Sequence, residues 1–202
     1  YQDFFDSNVL ATRKLLEMAK ENGVQRFIFA SSPSVAHTGN ALIGVGAHKA
    51  EPAHVRGAYS RTKALAEIDV LAAHSPDFST MALRPHLVWG PGDTQLIERI
   101  VARARSGRLF LIDGGYSLID TTYVTNAAQA FACAIDAPTS AFHRVLMVTN
   151  GEPRTVRETL GRIAHAAGAQ APTRSIPFHI ARAAGYAAEG AWRSRKSEPP
   201  LT

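Results

Sequence analysis

Cysteine is nearly absent from this chain. Cys133 is the only one in 202 residues, so no internal disulfide can staple the fold, and stability has to come from a buried core. A lone thiol also fits a reducing, cytoplasmic setting, with peripheral membrane association left open. Long apolar runs are missing as well: none approaches the roughly 18 residues a membrane span needs, which excludes an integral membrane segment. The opening stretch Tyr1-Gln2-Asp3-Phe4-Phe5-Asp6 has neither a basic head nor an apolar core, so it does not read as a signal peptide. It also lacks an initiator Met, and the chain is expected to begin partway into a longer protein. Finally, there is no glycine-rich phosphate turn. Gly44-Val45-Gly46 comes nearest, but it follows no convincing strand, opens no helix and lacks a third glycine.

What is present is an ordinary globular balance, 46% apolar and 19% charged, enough for one good core with a small second lobe. The formal net charge is +5. Its densest clusters, Arg103-Ala104-Arg105-Ser106-Gly107-Arg108 and Arg193-Ser194-Arg195-Lys196, have no interleaved aromatics on which bases could stack, so nucleic acid is not an expected partner. His48-Lys49-Ala50-Glu51-Pro52-Ala53-His54 superficially offers metal ligands. A zinc-binding helix needs histidines at i and i+4, however, and Pro52 breaks any helix there, so no metal is expected.

Hydrophobic periodicity predicts a helix over 7–20 with Val9, Leu15, Leu16 and Ala19 on one stripe, stopped by Asn22-Gly23. Arg26-Phe27-Ile28-Phe29-Ala30-Ser31-Ser32 has no polar alternation and reads as a strand buried on both faces. After a loop over 33–57, a helix is predicted over 58–73, with Leu65, Ile68, Val70, Leu71 and Ala72 as its apolar side. A second buried strand, Ser79–Arg84, is ended by Pro85. Helices are predicted at 96–104 and 126–135, with a hairpin across Gly114-Gly115 between them. Val145–Thr149 is a third strand. Thr155 caps a helix that ends at Gly168, 178–192 is helical, and Lys196–Thr202 reads as a frayed tail. Strands alternating with helices of this length predict an α/β fold with a doubly wound parallel sheet.

Chemistry concentrates at Tyr59-Ser60-Arg61-Thr62-Lys63. On a helix, i and i+4 share a face, so a phenol and an ammonium sit one turn apart. A free Tyr, with a pKa of about 10, is a poor acid or base at neutral pH, and a fixed cation nearby favours its phenolate. Such a pair can exchange a proton with a carbonyl or secondary-alcohol oxygen while a nicotinamide exchanges hydride with the carbon, and the ammonium can also hold ribose hydroxyls. The spacing arises by accident about one time in eight in such a chain, so context has to decide. Ser31 and Ser32 supply context, lying at the carboxyl end of a buried strand, where open α/β sheets bind ligands. Ser32 can hold a substrate oxygen there. Arg84-Pro85-His86-Leu87-Val88-Trp89-Gly90-Pro91-Gly92-Asp93 forms a sharp loop at the end of the next strand, where His86 can face substrate or act as a packed structural histidine.

The order and spacing of Asn8-Val9-Leu10-Ala11-Thr12, Phe27–Ser32, Tyr59-x-x-x-Lys63 and Leu83–Pro91 resemble those of extended short-chain dehydrogenases. Asp120–Ala130 is similar to the downstream segment of the 3β-hydroxysteroid dehydrogenase branch. Within that branch, Pro33-Ser34-Val35 and Arg84–Asp93 look most like 2-alkyl-3-oxoalkanoate reductases and sterol dehydrogenases. The likeness covers 1–150 well and the rest loosely. By position it implies Ser32, Tyr59 and Lys63 as the catalytic triad. NAD or NADP would be held by Ala30, Ser31, Tyr59, Lys63, Pro85, His86 and Val88, while Asn8 braces its helix against the sheet.

Members of that family begin with a strand and a Gly-rich turn. The resemblance therefore implies an N-terminally truncated chain, a partial Rossmann-type sheet missing its first strands, with an unpaired edge at 26–32. Alone, such a chain is expected to bind NAD(P)H poorly and to be inactive. Residues 1–93 and 119–150 would belong to the dinucleotide-binding domain, and 94–118 and 151–202 to a substrate lobe. The implied activity interconverts a ketone and a secondary alcohol on a small hydrophobic substrate, in a protein that forms a homodimer. Two alternatives stand beside it. A nucleotide-sugar epimerase or dehydratase would use the same Tyr/Lys pair, but Ser32-Pro33-Ser34 lacks the carboxylates of a sugar dehydratase, and Ile119, not an arginine, precedes Asp120. A non-catalytic dinucleotide-binding protein is expected to have lost the Tyr or the Lys, and both are present.

Overall fold

The computed structural model describes residues 1–39 and 44–192, with side chains through 187. The basic cluster at 193–196 and the tail at 196–202 lie outside the described residues. Among the described residues no helix is long and apolar enough to cross a membrane.

Along the chain, α1 (Gln2–Phe5) runs through a π-helical turn (Asp6–Leu10) into α2 (Ala11–Glu21). Then come β1 (Arg26–Ala30), α3 (Ala58–Ala72), β2 (Ser79–Pro85), β3 (Val88–Trp89) and α4 (Ile97–Arg105). After β4 (Leu111–Ile112), β5 (Leu118–Ile119) and β6 (Thr122–Tyr123) follow α5 (Val124–Asp136), β7 (Arg144–Val148), β8 (Arg154–Thr155), α6 (Val156–Ala166), β9 (Ser175–Ile176) and α7 (Phe178–Trp192). The chain divides into two compact units, Tyr1–Gly90 with Asp120–Glu152 and Pro91–Ile119 with Pro153–Thr202.

The first unit is built on a parallel sheet of order β1-β2-β7. Alternate side chains leave opposite faces of a strand, and both faces are covered. Phe29 of β1 and Ala82 of β2 pack with Leu16 of α2 and with Ala66 and Val70 of α3. Met81 and Leu83 of β2 pack with Ala134 of α5 and with Phe142. This is the doubly wound α/β arrangement expected from the alternation of elements. β2 is central and buried through its first six residues. Among the described residues β1 pairs only with β2, so its other edge is unpaired there, as anticipated.

Several local expectations need correction. β1 is not buried on both faces: Arg26 and Ala30 are exposed, and of its residues only Phe29 is buried, because one edge of the strand has no neighbour among the described residues. The first helix begins at Gln2 rather than 7, and Leu15 is exposed while Thr12 joins Val9 and Leu16 on the buried stripe. On α3, Ile68 and Ala72 face outward, whereas Thr62, Ala66, Glu67 and Val70 are buried. A charged residue sits where the apolar pattern had placed an isoleucine.

In the second unit, β4 pairs in parallel with β9, and β5 pairs antiparallel with β8. No hairpin crosses Gly114-Gly115. The glycines form a tight 3-10 turn, and both have positive φ. Asp93 accepts backbone N–H groups of Gln95, Leu96 and Ile97 to start α4. Thr155 caps α6 as predicted, accepting the Glu158 N–H at 3.1 Å.

Candidate active site

Tyr59 lies in the first turn of α3, 45% exposed. Its ring makes an edge contact with Phe4, centroids 6.2 Å apart. Asn8 donates to the Thr62 hydroxyl (3.0 Å), and Thr62 in turn lies 2.8 Å from the Ala58 carbonyl and 3.1 Å from that of Tyr59. Asn8 thus braces helix against helix, not against the sheet, and it steadies the turn that carries Tyr59.

Lys63 follows one turn later. Its ammonium donates to the Ala30 carbonyl at 2.5 Å and sits 4.2 Å from the Phe29 ring centroid. Helix α3 is thereby pinned to the carboxyl end of β1. Partial burial pushes the Lys63 amine below its ordinary value, and the Glu67 carboxylate pulls the other way. Among the described residues the ammonium commits one of its three N–H groups to protein.

Ser32 lies just past β1. Its side chain accepts the Ser34 N–H at 3.3 Å and meets the Ser34 hydroxyl at 2.9 Å, capping a 3-10 turn, Pro33–Ala36. It stands two residues from the carbonyl that holds Lys63. Ser31 differs: it is buried, and its hydroxyl donates to Glu67. Only its backbone, which bonds the Leu83 carbonyl at 2.7 Å, belongs to the strand end.

Pro85 closes β2 beside that end. The His86 ring bonds the Asp120 carbonyl through Nδ1, and its amide reaches the Val148 carbonyl (3.0 Å) and the Thr122 hydroxyl (3.2 Å). His86 is therefore tied into the protein on both sides. Leu87 takes a positive φ of 43°, and Val88, 40% exposed, pairs with Thr122. The carboxyl ends of two neighbouring strands thus present Ala30–Ser32, where Lys63 is anchored, and Pro85–Val88. The sequence holds no G-x-G-x-x-G glycine-rich turn.

Sequence reasoning missed what lies beneath. Arg84 and Glu67 form an ion pair, each side chain 1% exposed. Arg84 Nε donates to Glu67 Oε2 (2.9 Å), Nη2 to Oε1 (2.6 Å), and Nη1 to the His48 carbonyl (2.8 Å). Two signals were available: Tyr59, Lys63 and Glu67 follow one another at four-residue steps, and Arg84 interrupts an apolar strand. Further along the same loop, His54 pairs with Glu51 at 2.8 Å in an exposed turn.

The model of the 3-beta hydroxysteroid dehydrogenase/isomerase family matches residues 1–165. The chain belongs to that family. Among its relatives, 2-alkyl-3-oxoalkanoate reductase of Stenotrophomonas maltophilia is 37% identical over 209 residues, covering 100% of this chain and 63% of the relative. Sterol-4-alpha-carboxylate 3-dehydrogenase, decarboxylating, of Bos taurus is 33% identical over 183 residues, covering 88% of this chain and 51% of that protein. Among solved structures, the UDP-glucose 4-epimerase of Thermus thermophilus in complex with NAD superposes with a TM-score of 0.66 at 27% identity, over 86% of this chain and 58% of the epimerase. The family resemblance carried by the motifs holds, and so does the Rossmann-type sheet. This family member spans between 51% and 63% of the length of these relatives.

Proposed function

We propose that the protein carrying this chain is an NAD(P)-dependent oxidoreductase that interconverts a ketone and a secondary alcohol on a hydrophobic substrate. The observation that carries this reading is the Lys63–Ala30 bond, which holds an ammonium one helical turn from Tyr59 at the carboxyl end of β1. Bound nicotinamide dinucleotide supplies or takes up the hydride. In reduction, Tyr59 gives its hydroxyl proton to the carbonyl oxygen. In oxidation, its phenolate takes the proton from the alcohol. Lys63 favours the phenolate and offers its remaining N–H groups to ribose. Ser32 donates to the substrate oxygen, and Pro85–Val88 with Ala30 and Ser31 line the nicotinamide.

The apolar character of the substrate is supported by the relatives named above and by Ile119 preceding Asp120, where a pyrophosphate-binding enzyme would want a cation. We assign substrate recognition to 94–118 and 151–202, where Ile112, Tyr116, Leu118 and Phe178 are exposed. The epimerase likeness supports a nucleotide-sugar reading of the same pair, but Ser32-Pro33-Ser34 offers no carboxylate for sugar elimination.

The test is turnover of a 2-alkyl-3-oxoalkanoate with NADH or NADPH by the full-length protein. Tyr59→Phe should lower kcat by roughly a hundredfold or more while changing KM little. Undiminished turnover by Tyr59→Phe would remove Tyr59 from the chemistry.

A further inference from the structure

The buried pair beneath the site has a geometry that bears on Lys63. Lys63 and Glu67 are one turn apart on α3, close enough to pair with each other. They hold consecutive residues of the same strand end, Lys63 the carbonyl of Ala30 and Glu67 the hydroxyl of Ser31. A carboxylate this near is the natural partner for the ammonium, yet the ammonium rests on a neutral carbonyl. The reason is Arg84, whose planar fork occupies both Glu67 oxygens, with Ser31 adding a third donor.

We infer that Arg84 is a positioning residue: by holding both oxygens of Glu67 it keeps that carboxylate from capturing Lys63, and so leaves the ammonium available to Tyr59 and a ribose. This rests on the oxidoreductase reading for its consequence in catalysis, though not for its electrostatics. The same guanidinium reaches the His48 carbonyl, so it also fixes the loop that follows the Ser32 turn. A lysine could not do all of this, because it is a point donor without the bidentate geometry.

Other charges near α3 are already engaged or lie at the surface. Arg13 of α2 pairs with Asp69 at 2.7 Å, Asp6 accepts from Gln2, and Asp3 and Arg61 are exposed. The carboxyl end of β1 and the 3-10 turn Pro33–Ala36 bring no charged side chain, and β2 brings Arg84 itself. Glu67 is therefore the carboxylate to control.

The test uses the full-length protein and reads Lys63 directly, as the pH midpoint of its labelling by acetic anhydride, followed by mass spectrometry. Arg84→Met should raise that midpoint by about one pH unit, since the freed carboxylate stabilises the charged amine. Arg84→Lys should fall between Arg84→Met and the unaltered protein. The double variant Glu67→Leu with Arg84→Met removes the competitor along with its keeper, and the midpoint should return to within a few tenths of a unit of the starting value. In reduction of a 2-alkyl-3-oxoalkanoate, kcat of Arg84→Met should fall roughly tenfold with KM nearly unchanged, and the double variant should recover most of it.

An unmoved midpoint in both single variants overturns the inference. So does a double variant shifted as far as Arg84→Met, or one that folds when neither single variant does, for then the pair would serve folding alone. Tyr59→Phe keeps the two readings apart: full activity in that variant defeats the redox assignment but leaves the Lys63 midpoints to be judged on their own.

Discussion

Thr122 offers the sharpest test of how the carboxyl end of the sheet is held. It is fully buried, and its one hydroxyl joins three backbone groups. Its oxygen lies 2.8 Å from the His86 carbonyl and 2.9 Å from that of Val148, and it accepts the His86 N–H at 3.2 Å. Those groups belong to the chain leaving β2 and to the last residue of β7. Thr122→Val keeps the volume and removes the oxygen. The His86 N–H retains Val148 as a partner at 3.0 Å, but the His86 carbonyl loses the Thr122 hydroxyl as donor. One net hydrogen bond plus an unsatisfied acceptor comes to about 1–3 kcal/mol. Thr122→Ser keeps the hydroxyl and loses one methyl, worth about 1 kcal/mol. Urea unfolding should therefore rank unaltered protein, then Ser, then Val, with the midpoint falling and the slope constant. A Val variant as stable as the original, beside a weaker Ser variant, would show that packing and not the hydroxyl holds this crossover.

Two further outcomes follow from local geometry. At Gly90, φ is +152° and an added Cβ would lie 2.5 Å from Val124 Cγ1, so Gly90→Ala should lower stability by about 1–3 kcal/mol in a thermal melt. Adding Val124→Ala should recover part of the loss, and an unchanged melting temperature for Gly90→Ala would refute the close approach. For Asp93, burial pushes the carboxyl up, but three backbone N–H groups outweigh it and leave the group below its usual 3.8. A depressed folded value means the cap's contribution is full above 3.8 and fades as pH drops through the folded value. Hydrogen exchange at Leu96 and Ile97 should quicken over that acidic range and lose this pH dependence in Asp93→Asn; identical profiles would sink the cap.

The sequence was most legible where local chemistry and global packing agreed. β2, with Met81-Ala82-Leu83 at its middle, is buried and central, the α2 stop at Asn22-Gly23 is realised with Gly23 at φ +68°, and Thr155 caps α6 because its hydroxyl sits where the first free N–H groups are. Legibility failed where tertiary contacts overrode pattern. Ile68 fits an apolar stripe as well as Glu67 breaks it, and only the presence of Arg84 on the facing strand decides which turns inward. Gly114-Gly115 advertises a hairpin, yet the short strands on either side find partners far along the chain, in β9 and β8. At the candidate site, Tyr59 and Lys63 could be read from their spacing. The diversion of the Ser31 side chain to Glu67 could not, since two adjacent serines carry no mark of which one faces the interior.

The order β1-β2-β7 has a consequence for how the chain assembles. Neither pairing joins strands that are near in sequence: α3 intervenes before β2, and α5 before β7. Such non-local closure is slow, on the order of milliseconds to seconds. During synthesis β1 cannot pair with β2 until all of α3 and β2 have left the ribosome. For that interval the edge of β1 that β2 will cover is a template for any passing strand.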